Sequence, residues 1–123
     1  MTFTETEVAW LARTVKKRAK VADSKDHKTR VPKLVKSLKG LAKKLATKPT
    51  EVELTRVELR ILQDLVTHYF EFAAAYSIPA YTARLEKSKL DDARNVDWKK
   101  KVGIVVDLAN MLAGLKNKLQ DEI

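Results

Sequence analysis

Asp64 and His68 stand four residues apart, a spacing that on a helix puts two potential metal ligands on one face. They lack company. A di-iron bundle uses Glu-x-x-His pairs with further glutamates on facing helices, and that pattern is missing. His27, the other histidine, falls in a polar stretch, and without cysteine there is neither thiolate ligand nor disulfide. Glu58 points into an apolar arc, where it either pairs with a lysine from another helix or marks a wetter position. A lone carboxylate makes no catalytic dyad. No glycine-rich phosphate loop follows a strand, and no nucleophile stands beside an activating base. These residues predict no enzyme, no metal and no cofactor.

The chemistry the sequence does favour is electrostatic. The net charge is +9, and residues 13–50 hold fourteen Lys/Arg against Asp23 and Asp26 alone. Residues 51–78 reverse the balance, with two arginines and five acids. Concentrated positive charge raises encounter rates with polyanions and is the electrostatic footprint of a nucleic-acid binder; a solubilising lysine-rich surface is the plainer alternative. Lysines outnumber arginines eighteen to seven. Lysine is a flexible point charge, whereas arginine supplies the bidentate geometry that reads guanine. Contact with the phosphate backbone, DNA or RNA, is therefore expected over readout of sequence.

Helices must position those charges. Thr4 and Glu7 form a capping box, with Phe3 and Val8 placed for a hydrophobic staple. Val8, Leu11, Ala12, Val15, Ala19 and Ala22 then make a narrow apolar stripe. Trp10 falls roughly 160° from its centre, beside Arg13, Thr14 and Lys17. Two uses fit: a platform on which bases stack, typically for ~1–3 kcal/mol each, or a packing contact on the N-terminal residues, the fourth helix or another subunit. Residues 23–30 read as a polar loop. Val31-Pro32 opens a second helix, with Val31, Leu34, Val35, Leu38, Leu41, Ala42 and Leu45 on one side. Lys33, Lys36, Lys39, Lys43 and Lys44 occupy the other, with no acid on the helix. Lysines without acidic partners repel one another, and a bound polyanion would offset that cost.

Thr50-Glu51-Val52-Glu53 reads as a second capping box, opening a long helix to about Ser77. Its apolar arc, which includes Leu54, Val57, Leu62, Leu65, Val66, Phe72 and Tyr76, covers more than half the circumference. Ile78-Pro79 breaks or kinks it. A shorter helix over 79–94 follows, with Tyr81, Leu85 and Ala93 facing inward, and Asn95 or Asp97 caps the last helix. Trp98, Val102, Val105, Leu108, Ala109, Leu112, Leu115 and Leu119 form its stripe. No window alternates like a strand. The expected fold is an all-α, single-domain antiparallel bundle of four or five helices over residues 1–123, around a long central helix at about 50–77.

The expected function is a non-catalytic nucleic-acid-binding protein, or a small subunit of a nucleoprotein complex. It would work through Trp10, Arg13, Lys17, Lys20, Lys33, Lys36, Lys43 and Lys44. A helix-turn-helix over 41–52 is disfavoured, because Glu51 and Glu53 would open the recognition helix and face phosphates. The competing function is a protein-interaction module, an adaptor or inhibitor, whose basic face docks on an acidic partner. Adsorption to anionic membranes is disfavoured, since helices one and two need their apolar stripes for the core. Gly103, Ile104, Met111 and Gly114 lie off the main stripe of the last helix and suggest a homodimer or larger complex through that face. No run is long and apolar enough to span a membrane, and no signal peptide is expected. A cytoplasmic location in a reducing cell interior fits.

Overall fold

The computed structural model describes residues 1–24 and 29–122. Residues 25–28, which include His27 and half of the expected polar loop, lie outside the described residues. The chain is all-α, as expected. Its helices are α1 (Glu5–Ser24), α2 (Pro32–Leu45), α3 (Arg56–Phe72), α4 (Ile78–Lys87) and α5 (Asp92–Gln120), with a π-helical segment, Ala73–Ser77, between α3 and α4. The described chain forms two compact units, Met1–Leu62 and Gln63–Ile123. No helix among the described residues is long and apolar enough to cross a membrane.

In the first unit α1 packs against α2. The expected box starts α1: the Thr4 N–H donates to Glu7 Oε1 at 2.8 Å, and the Glu7 N–H donates to Thr4 Oγ1 at 3.1 Å. Phe3 and Val8 are both buried, as a staple requires. The proline of α2 sits in its first turn, where its missing N–H costs nothing. Val35, Leu38, Leu41 and Leu45 are buried at 3-3-4 spacing, but Val31 and Leu34, expected on the same stripe, are exposed. The buried stripe of α2 thus begins one turn later than its pattern suggests.

The second capping box is displaced from its expected position. Residues 50–52 pair with the N-terminus instead: the Phe3 N–H donates to the Thr50 carbonyl at 2.7 Å and the Val52 N–H to that of Met1 at 2.9 Å. With that stretch held extended, α3 starts at Arg56 on a box of identical chemistry. The Thr55 N–H donates to Glu58 Oε1 at 3.0 Å, and the Glu58 N–H to Thr55 Oγ1 at 3.2 Å. Lys44 of α2 donates to the same carboxylate at 2.6 Å. Glu58 therefore pairs with a lysine from another helix, one of its two expected environments.

Burial acts to raise the pKa of Glu58, but the Lys44 hydrogen bond, the Thr55 N–H and the Lys44 charge outweigh it, holding the carboxyl below its ordinary 4.5. The folded value is the lower one. Stabilisation from this group is therefore complete above pH 4.5 and is lost as pH falls through the folded value. Glu58→Gln is expected to cost roughly 1–2 kcal/mol at neutral pH and to flatten the acid limb of a urea-midpoint-against-pH curve. An acid limb identical to wild type would contradict the assignment.

In the second unit Leu65, Val66 and Ala73 are buried, as are Ala109, Leu112, Leu115 and Leu119 of α5. The Gln63 side chain donates to the Leu119 carbonyl at 2.8 Å, satisfying one of the last acceptors of α5. The arc expected to be core is narrower: Val57 in the first unit, and Phe72 and Tyr76 in the second, are exposed. Pro79 does not end the helix. The Ile78 N–H bonds to the Ala73 carbonyl, five residues back, and the helical path continues from Arg56 to Lys87. A proline ring clashes with the carbonyl four residues before it, and one widened turn relieves that clash. α4 stops at Lys87, short of the expected 94, and Ala93 belongs to α5 and is exposed. Asp91, rather than Asn95 or Asp97, caps α5, accepting the Arg94 N–H at 3.1 Å.

Candidate functional site

The net charge resides in one unit. Residues 1–62 hold sixteen Lys/Arg against seven Asp/Glu, whereas residues 63–123 hold nine of each. Within the first unit the cations converge on a groove of about 720 Å³ between α1 and α2. Its floor is alanine: Ala9, Ala12 and Ala19 from α1, and Ala42 and Ala46 from α2 and its end. Its banks are Arg13, Lys16 and Lys20 on one side and Lys39, Lys43 and Lys48 on the other, with Asp23 the single acid. The local cause is spacing. Small and cationic residues recur every three or four positions on both helices, so one face of each carries short side chains between long ones. Short side chains leave the recess; long ones fence it.

Asp23 is spoken for. It accepts from Lys39 at 3.0 Å and from Arg30 at 2.6 Å. The Lys39 hydrogen bond, with the charges of Lys39 and Arg30, outweighs the burial that opposes them and lowers the Asp23 pKa below its ordinary 3.8. Arg13, Lys16, Lys20, Lys43 and Lys48 make no ion pair with any described residue. The free charge of the groove is five cations.

Arg13, Lys20 and Lys43, three of the eight residues expected at a basic face, come together here. Lys16 and Lys48 were missed, and Lys39, expected on the lysine face of the second helix but not among those eight, lies here too. Lys17, Lys33 and Lys36 are exposed but line other surface; Lys17 points about 100° from the groove's centre on α1. Lys44 is corrected. It is held by Glu58 and by the Glu53 carbonyl at 3.1 Å, on a different side of α2. Trp10 is also corrected: at 7% exposure it offers no stacking face, which leaves the packing alternative. Glu7 and Thr14 are buried with it at helical spacing, so the buried arc of α1 is about half its circumference.

Lys48 carries a second peculiarity. Just past the end of α2, its backbone is left-handed, with φ of 52°, a conformation costing roughly 1–2 kcal/mol in any residue with a Cβ. Glycine is the usual occupant of such a position. Lys48→Gly is expected to raise stability by about 0.5–1 kcal/mol while weakening polyanion binding. A variant both less stable and equally avid would overturn the placement of Lys48 on the groove.

Elsewhere the arrangement is less suggestive of chemistry. Asp64 and His68 are both exposed, and no group of three or more His, Asp or Glu among the described residues is disposed to hold a metal ion. On α5, Ile104 is 66% exposed and Val96 63%, while Met111 is half-buried. Open space surrounds Gly103 and Gly114, so nothing among the described residues accounts for their lack of a side chain. Trp98 is engaged, with Lys101 Nζ 4.4 Å and Arg84 Cζ 5.2 Å from its ring and Tyr81 beside it.

Fold and site together define an all-helical protein with a cation-walled groove. No family model matches the chain, nor does any curated protein or solved structure.

Proposed function

We propose that the protein binds nucleic acid through its phosphate backbone, without catalysis and largely without regard to sequence, in the α1–α2 groove. The observation that carries this reading is five cations on facing banks of one recess that make no ion pair with any described residue. Phosphates entering it would offset the mutual repulsion of those cations and release counterions. An acidic protein partner is the alternative, and composition weighs against it. Lysine is depleted from the buried cores of protein interfaces, which favour aromatic residues, methionine and arginine. The groove holds four free lysines, one arginine and no aromatic ring.

The test is fluorescence anisotropy of a labelled mixed-sequence oligonucleotide at low salt, with poly-glutamate as competitor. Saturable binding that survives shuffling of the sequence and resists poly-glutamate is expected. Tight poly-glutamate binding with none to the oligonucleotide would transfer the groove to an acidic protein.

For association, the exposed Val96 and Ile104, with the open Gly103 and Gly114, favour a second copy along α5. Sedimentation of the wild-type chain is expected to show a dimer that Ile104→Glu dissociates. A wild-type monomer at high concentration would refute it.

A further inference from the structure

We infer that the groove takes a single strand, not a duplex. This rests on the nucleic-acid reading above and narrows it. Two sets of cations on α1, α2 and the turn after α2 differ in geometry. Lys17, Lys33 and Lys36 stand on exposed helix surface, whereas Arg13, Lys16, Lys20, Lys43 and Lys48 fence a recess with an alanine floor. A duplex is a stiff rod that presents phosphates on a convex surface, so it meets outward-pointing side chains and cannot descend between two packed helices. A single strand is thin and flexible enough to lie along the recess, with phosphates on alternate banks and sugar edges over the alanines. The volume of about 720 Å³ falls within the range of small-ligand pockets, roughly 300–1,000 Å³, and suits a short run of nucleotides.

The apolar floor is the second observation. A site selected for charge alone has no use for five alanines beneath its lysines; contact with the less polar sugar and base edges does. Because no aromatic ring lines the groove, binding gains no base-stacking preference, and the five cations carry it.

Charge density makes the inference discriminating. A duplex carries a charge every ~1.7 Å of axis, twice the density of one strand, so a flat basic patch would prefer the duplex. The experiment compares a mixed-sequence single strand with a duplex of the same length. It uses the wild-type chain, Ala42→Leu, Ala12→Leu, and a triple variant of the outward set, Lys17→Glu, Lys33→Glu and Lys36→Glu. Ala12 and Ala42 are half-buried, leucine is a good helix former, and circular dichroism reports whether each variant folds. The expected result is tighter binding of the single strand by wild type. Either leucine should reduce that affinity by about tenfold or more, with net charge unchanged, and leave duplex binding as it was. The outward triple should lose duplex affinity and keep most of its single-strand affinity.

Equal or tighter duplex binding by wild type, with folded leucine variants indistinguishable from it, would overturn the inference and leave the backbone-binding function standing. Absence of binding to either ligand at low salt would remove both.

Discussion

Reversing Lys16, Lys20 and Lys43 to glutamate together is expected to weaken single-strand binding by about a hundredfold or more at roughly 100 mM salt. The three lysines stand on both banks of the groove, make no ion pair with any described residue, and are exposed. Their replacement breaks no ion pair with a described residue, so the helical signal and the urea midpoint should stay near wild-type values. Two of five free cations would remain, facing three new acids. The same net change made at Lys17, Lys33 and Lys36 is the control, because it alters the overall field equally and leaves the groove intact. Equal losses from the two triple variants would mean that binding follows net charge and not the recess.

The second large effect is on folding. Leu41 is fully buried on α2, and Leu41→Ala is expected to cost about 2–5 kcal/mol, from lost transfer free energy and the cavity left behind. Domains of this size are stable by only roughly 5–15 kcal/mol, so the variant should unfold at far lower urea and occupy the unfolded state measurably at moderate temperature. Leu34→Ala, two turns earlier on the same sequence stripe, should cost less than about 1 kcal/mol, because Leu34 is 41% exposed and its truncation opens no cavity. Comparable losses from both would show that the buried stripe of α2 begins where its heptad pattern does, at Val31.

That contrast bears on what the sequence made legible. Periodicity found every helix, and local chemistry placed the Thr4–Glu7 box and Pro32, because capping and proline act within a single turn. The start of α3 was misplaced for a non-local reason. Thr50-x-x-Glu53 and Thr55-x-x-Glu58 are equivalent as capping boxes, and pairing of residues 50–52 with the N-terminus decides between them. Trp10 looked misplaced because Glu7 and Thr14, which widen the buried arc toward it, are polar and do not register as apolar periodicity. Glu7 can be buried because the Thr4 N–H occupies its carboxylate.

The basic character of α1 and α2 was plain from composition, yet the line along which it acts was not. Lys39 and Lys44 look equivalent to Lys43 in sequence. One is bound by Asp23 and the other by Glu58, and only tertiary packing supplies those acids. Alanine hid the groove, since it reads as a weak core residue and becomes a floor only when two such faces meet. The signal was present in Ala9, Ala12, Lys16, Ala19, Lys20 and Asp23, a stripe of small and charged residues at helical spacing.

The central claim is that five free cations of one groove neutralise the phosphates of a single strand. A salt series of binding constants for a mixed-sequence single-stranded oligonucleotide tests it most directly. With all five engaged and about 0.7 counterions released per phosphate, log affinity should fall linearly with log salt with a slope of about −3.5. The Lys16, Lys20 and Lys43 triple variant should reduce that slope to about −1.4. Affinity that does not change with salt, or no binding at low salt, would contradict the account.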